Sequence, residues 1–315
     1  MPEMPYAIVI VPKGRLGNVM FQYLLAWELN RRLDYTACIY GPGLPEWGID
    51  PLAPEQQAVR PYRLKGHLFD LDQATYAVRS GLADAIVVEG WGMRMEYYAD
   101  WKALLLPFQT ILQPEPVSNS EILINVRAED IESGKHPGYY PLSFDFYDQV
   151  IRHARKQPVF MGQVHHGEYA AALRSEFPHA RFLESDSPML DFVTIRGARC
   201  LAISTSTFAW LAAWSSTVAE CIHYPVVGIF DPRRGVQNLM PVGDPRYVFW
   251  TTQFPSMQAR LAIPGAATWA VNCHGSRRLT RPESQAIAIG SFAFKLSHVA
   301  LAQLKTGIPQ ISRQI

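Results

Sequence analysis

Residues 6–23 read Tyr6-Ala7-Ile8-Val9-Ile10-Val11-Pro12-Lys13-Gly14-Arg15-Leu16-Gly17-Asn18-Val19-Met20-Phe21-Gln22-Tyr23. The first six residues form a short apolar run, the signature of a buried strand, and two glycines interrupt the loop behind it. From Met20 onward apolar residues return at helical spacing through Phe21, Leu24, Leu25, Trp27 and Leu29. Strand, glycine loop and helix in that order open a nucleotide-binding α/β unit. Glycines there let backbone N–H groups approach an anion, and the start of a helix favours negative charge. The same Gly14-x-x-Gly17-Asn18 also suits a tight strand-to-helix turn with Asn18 as the helix cap. From these residues alone both readings stand.

Outward from that unit the pattern repeats. Strands are expected at 37–40 and 85–89, around a Pro/Gly-rich connection at 42–61. Two prolines and a run of small polar residues make 112–120 the best linker. Beyond it, strands are expected at 122–126, 158–161, 200–204 and 226–230, and helices at 144–155, 170–177, 190–196 and 207–215. Two consecutive α/β series imply two Rossmann-like domains facing a cleft, at 1–115 and 120–250. Residues 251–315 follow as a partly helical C-terminal extension, and no internal repeat of fixed period is evident.

Charge separates the extension from the body. The 315 residues carry a net +1, but 255–315 hold seven basic groups against Glu283 alone, a net of +6, which leaves −5 on the rest. Near-neutrality argues against a nucleic-acid partner, which would need a basic surplus. The N-terminus does not read as a signal peptide, and no stretch approaches the roughly 18–20 apolar residues of a membrane helix. Cys38, Cys200, Cys221 and Cys273 are scattered without a CxxC pair, which suits free thiols in a reducing cytoplasm rather than structural zinc. The basic tail, with Ile289, Phe292, Leu296, Val299 and Leu304 at helix-like spacing, has two readings. It rests peripherally on an anionic inner-membrane surface, or it packs across the two domains or into the partner of a homo-oligomer.

The stretch Gly14 to Tyr23 resembles the GGLGNQMFQY opening of bacterial α-1,2-fucosyltransferases, glycosyltransferase family 11. Three more stretches support the resemblance in the same order. Glu89-Gly90-Trp91-Gly92 through Tyr97 is similar to the family's GYFQSEKYF. Asn125-Val126-Arg127-Ala128-Glu129-Asp130, followed by Tyr140-Pro141-Leu142-Ser143, stands where the family has HIRRGDY and a YYPL helix start. Ser204-Thr205-Ser206-Thr207-Phe208-Ala209-Trp210 resembles NSSFSWW. Asp191 precedes Thr205 by fourteen positions, the spacing of an acidic residue in the family. The resemblance covers roughly residues 6–250, so the basic tail lies beyond it.

The resemblance implies an enzyme: a cytoplasmic, inverting, metal-independent GT-B glycosyltransferase without cofactor, moving fucose from GDP-fucose to a glycan hydroxyl in polysaccharide biosynthesis. Its donor would be held mainly by the second domain. Expelling a nucleoside diphosphate calls for concentrated positive charge, which an arginine fork supplies best. Arg127 is the residue expected in that role, with Asp130 beside it as the second catalytic residue. Donor contacts are expected from Gly14, Gly17, Asn18, Asn125, Arg127, Asp191, Ser206, Thr207 and Phe208. Asp191 would accept from guanine N1–H and N2–H, while Trp210 and Trp214 read as core. A base must take the acceptor proton, and Glu129, Asp130 and Glu96 are the candidates.

Departures from the family pattern leave the donor open. Asn125, Ala128 and Glu129 replace its His, second Arg and Gly, so only Arg127 and Asp130 remain of five diagnostic positions. Either GDP-fucose is held differently, through Lys13 or Arg15, or the donor is another nucleotide sugar, or the chain is a non-catalytic binding member. Three further patterns carry no expected chemistry. Asp70-Leu71-Asp72 is a DxD of the kind that arises by chance. His165-His166 lacks a third ligand and reads as a polar loop. Ser204 to Ser206 lacks the glycines of a nucleophile elbow.

Overall fold

The computed structural model describes residues 6–54, 58–98, 108, 112–184, 187–263 and 265–290. The opening unit folds as its pattern demands: β1 (Tyr6–Ile10) runs into α1 (Leu16–Arg32). Then come β2 (Ala37–Tyr40), β3 (Pro61–Leu64), α2 (Leu71–Arg79) and β4 (Ala85–Val88). The four strands pair in parallel in the order β2-β1-β4-β3. All four residues of β4 are buried, which is why its Ala-Ile-Val-Val is a continuous apolar run rather than an alternating one.

The second series is β5 (Glu121–Val126), α3 (Glu129–Glu132), α4 (Phe144–Ala154), β6 (Gln157–Gly162), α5 (Gly167–Glu176) and β7 (Arg181–Phe182). It continues through α6 (Pro188–Gly197), β8 (Cys200–Ala202), α7 (Thr207–Trp214), β9 (Cys221–Pro225) and β10 (Tyr247–Thr251). Helices α8 (Met257–Ala262) and α9 (Ala266–Asn272) lead to β11 (Arg277–Arg278). The sheet order is β11-β10-β9-β8-β5-β6-β7, parallel except for β11. The architecture is thus α/β, with two Rossmann-like layers whose strand ends face a common cleft. Helix α1 packs on α7, so one apolar core runs from Ile8 and Phe21 through Trp210 and Trp214 to α6.

Three expectations need correction. The strand placed at 226–230 lies earlier, at Cys221–Pro225; Gly228 at φ +54° and a 3₁₀ turn at Gly228–Phe230 end the extended run. Strands β3, β7, β10 and β11 have no counterpart among the expected ones. The extension placed at 251–315 does not begin at 251 as a separate piece, because β11 completes the second sheet and α9 packs on α4 and α5. Residues 281–290 are helical, so the apolar run at 285–305 falls within the described residues only as far as 290. No helix of the described residues is long and apolar enough to cross a membrane.

Candidate functional site

In a parallel sheet, ligands bind outside the carboxyl ends of the strands, where the strand order reverses. In the first sheet that point lies between β1 and β4, and in the second between β5 and β8. A cavity of about 1240 Å³ occupies the space between them. It is lined by Gly14 and Arg15 after β1, Trp91 and Met93 after β4, Arg127 and Glu129 to Ile131 after β5, Gln163 after β6, and Ser206 to Phe208 after β8.

All the expected donor and catalytic residues line this one cavity: Gly14, Gly17, Asn18, Asn125, Arg127, Asp130, Asp191, Ser206, Thr207 and Phe208. Their roles differ from the expectation at several points. Asn18 is not the helix cap; Arg15 holds that position without a side-chain bond, and Asn18 sits in the first turn of α1. There its Oδ1 accepts from Thr207 Oγ1 at 2.9 Å, bridging the two domains. Gly17 allows the same approach: a Cβ on it would lie 2.6 Å from the backbone N of Phe208. Gly14, at φ +80°, makes the turn. Gln22, fully buried in α1, holds the loop by donating to the Val11 carbonyl at 2.8 Å and accepting from Lys13 N–H at 3.0 Å.

Arg127 leaves the end of β5 with its guanidinium on Asp130, Nη2 at 2.8 Å and Nε at 3.3 Å. Its Nη1 donates to the Thr205 carbonyl at 3.3 Å, and its plane lies 4.4 Å over the Tyr139 ring. Arg15, from the opposite domain, reaches Asp130 at 3.1 Å. Burial pushes the Asp130 carboxyl up, but hydrogen bonds from Arg127 and the charges of Arg127 and Arg15 outweigh it, so the net shift is downward. Two arginines thus share one carboxylate at the switch point of the second sheet, with Glu129 in the same wall. Beside it α7 begins, capped by Ser206, whose side chain accepts from Ala209 N–H. The first N–H groups of a helix have no intrahelical partner, and they carry the positive end of its dipole.

Asn125 is engaged within the protein, accepting from Ser204 Oγ at 2.5 Å and so tying the end of β5 to the loop after β8. Asp191 stands half-buried in the first turn of α6. Phe208 is also half-buried and packs edge-on against Phe192 at 5.4 Å, whereas Trp210 and Trp214 are core. Of the candidate bases, Glu129 lines the cavity and takes a long contact from Gln163 Nε2 at 3.4 Å. Glu96 does not line it; its carboxylate accepts from the fully buried Arg94 at 2.5 Å.

Several wall residues were not expected. His67 and Trp91 stack at 4.6 Å on the first-domain side. Burial, then the charge of Arg94, lowers the His67 ring to about 4, so it is neutral near pH 7. His165, expected in a bland loop, is a wall residue held on both ring nitrogens, by Leu183 O at 3.0 Å and Arg174 Nη2 at 2.8 Å. Arginine only donates, so Nδ1 accepts and Nε2 carries the proton. Gln163 and His165 follow the carboxyl end of β6, and that position was the signal that would have found them. The DxD is structural: Asp70 caps α2 by accepting from Gln73 N–H at 2.9 Å, and Asp72 pairs with Arg32 at 2.6 Å.

No family model matches the chain, and no curated protein matches it in sequence. Among solved structures, it is similar to a point mutant of Arabidopsis thaliana FUT1 in complex with GDP. The TM-score is 0.44 at 11% identity, covering 81% of this chain and 72% of that one. It is also similar to TibC, a dodecameric iron-containing glycosyltransferase from enterotoxigenic E. coli, with TM-score 0.42, 11% identity, and 96% and 78% covered. TibC, described as a heptosyltransferase in complex with ADP-D-beta-D-heptose, matches again at TM-score 0.36 and 12% identity, over 70% and 57%. The α/β architecture described above is read from the chain's own sheet order.

Proposed function

We propose that this chain is a GT-B glycosyltransferase that moves a sugar from a nucleoside diphosphate, GDP-fucose in the first instance, to a glycan hydroxyl. The observation that carries the reading is the convergence of Arg127 with the start of α7 at the carboxyl ends of β5 and β8. Departure of a diphosphate builds negative charge on its oxygens. The Arg127 fork, Arg15 and the N–H groups opening α7 would answer that charge without a metal. Asp130 positions both arginines, and its lowered pKa makes it a poor base. Glu129 then takes the acceptor proton while the acceptor oxygen attacks the anomeric carbon from the face opposite the diphosphate, inverting it. Asp191 would read the base, and His67 and Trp91 would form the acceptor side.

The test is calorimetric binding of GDP, UDP, CDP and dTDP, followed by hydrolysis and transfer assays with the matching sugars. GDP preference with GDP-fucose turnover supports the reading. Binding of another nucleotide alone moves the donor assignment, and binding of none removes it. Glu129 standing where the family has glycine favours a second reading, the same fold with a different sugar donor.

A further inference from the structure

At the opposite end of the second sheet, under the amino ends of β8 and β9, lies a separate cavity of about 350 Å³ lined by His153, Lys156, Arg199, Cys200, Glu220 and Cys221. Cys200 and Cys221 are direct partners in the parallel register. Their side chains therefore leave neighbouring strands on one face, and the usual inter-strand spacing of about 4.8 Å falls within the Cα range a disulfide accepts. His223, two residues along β9, shares that face, and its Nε2 stands 3.4 Å from Cys221 Sγ. The two sulfurs and this ring nitrogen lie within 4.8 Å of one another.

Such a cluster suits either a soft metal or thiol chemistry, and Trp250 decides between them. Its indole N–H, which only donates, points at His223 Nδ1 at 2.9 Å, with both residues buried. Nδ1 therefore carries a lone pair, and the proton of the neutral ring sits on Nε2, directed at the Cys221 sulfur. A metal ligated by Nε2 would need the reverse tautomer and would set two N–H groups against each other. Cys221 is instead a sulfur that receives hydrogen bonds. A bond from Cys200 and then, against burial, one from His223 hold its thiol below the ordinary range.

We propose that Cys221 is a peroxide-reactive thiolate and Cys200 its resolving partner, forming a Cys200–Cys221 disulfide at the amino ends of β8 and β9. The thiolate attacks a hydroperoxide oxygen; the S–O bond forms, the O–O bond breaks, and hydroxide leaves as sulfur is oxidised to sulfenic acid. The Cys200 sulfur then attacks Cys221, the S–S bond forms, and the S–O oxygen departs as water with the Cys200 proton. Cys38 and Cys273 are internal controls, the first half-buried and the second buried, and neither is paired with a second cysteine in the cluster.

Treating the full chain with limiting hydrogen peroxide, alkylating the remaining thiols and mapping the peptides by mass spectrometry tests this. A Cys200–Cys221 linkage, two hydrogens lighter, should appear while Cys38 and Cys273 stay alkylated. Cys200→Ser should leave a dimedone-trappable sulfenic acid at Cys221, and Cys221→Ser should leave Cys200 unoxidised. Trp250→Phe, which frees the histidine tautomer, should slow Cys221 oxidation severalfold. Oxidation of Cys221 no faster than of Cys38 would overturn the proposal. So would stoichiometric metal in the purified chain that shields Cys221 from alkylation.

Discussion

Arg127→Ala separates fold from function most sharply. In the folded chain its guanidinium lies 2.8 and 3.3 Å from Asp130, 3.3 Å from the Thr205 carbonyl and 4.4 Å over Tyr139. Asp130 keeps Arg15 at 3.1 Å when Arg127 is gone, so no carboxylate is stranded. The lost partly solvated pair and cation–π contact then cost about 1 kcal/mol, a Tm drop of about 1.5 °C for a chain of 315 residues. A diphosphate loses much more. One charge-assisted hydrogen bond contributes about 1.5–3 kcal/mol, and each 1.4 kcal/mol is tenfold, so the Kd for GDP should rise about 10- to 150-fold. Arg127→Lys keeps the charge without the fork and should fall between the two. Calorimetric titration with GDP beside thermal unfolding measures both quantities. Unchanged GDP affinity in a folded Arg127→Ala protein would refute the assignment of the diphosphate to this arginine.

Three other outcomes follow from the geometry. Gly17→Ala puts a methyl 2.6 Å from the Phe208 backbone N and 2.9 Å from its Cα, backbone atoms that cannot swing aside. Overpacking of that kind costs about 1–3 kcal/mol, and calorimetric unfolding should show it; an unchanged Tm would mean that α1 and α7 are not so closely packed. Burial, then Arg94, lowers His67 from 6.5 to about 4. Between those values the unfolded chain binds a proton that the folded chain refuses, so stability should rise by about 2 kcal/mol from pH 4 to 6.5 and level off above. His67→Gln should flatten that slope in urea titrations run across the window. Asp70→Ala removes the α2 cap and should cost about 1 kcal/mol while leaving the proposed sugar transfer, with and without EDTA, as it is in the parent chain. Lost transfer would restore a metal role to the DxD.

Legibility in the sequence followed how local the cause was. The β1–α1 unit was readable because its strand, loop and helix are set by consecutive residues, and the shorter bonds of the motif's Gln22 fall within eleven positions, on Val11 and Lys13, beside a longer one of 3.5 Å to the Val88 carbonyl. Strand β9 was misplaced because Cys-Ile-His-Tyr-Pro looks polar and broken in isolation. Its histidine is buried against Trp250 and its pairing comes from β8 and β10. Strand β11 is a pair of exposed arginines, which no local rule reads as a strand; only β10 makes it one.

The site divides along the same line. Arg127 and Ser206 could be placed because each ends a strand and begins a turn or helix. What those ends face depends on sheet order, which comes from tertiary pairing. Gly17 illustrates the difference. Read alone, it is a glycine that frees backbone for an anion; with β1 beside β4 and β5 beside β8, the first turn of α1 meets that of α7, and the missing Cβ makes room for Phe208. Asn18 follows it, exchanging a capping role for a bond to Thr207 across the cleft. The motif's small residues thus hold two helix starts together, and the proposed binding of phosphate falls to Arg127, Arg15 and the opening of α7. Substitutions at Gly17 or Asn18 should therefore act on stability and donor affinity together, whereas those at Arg127 act on affinity almost alone.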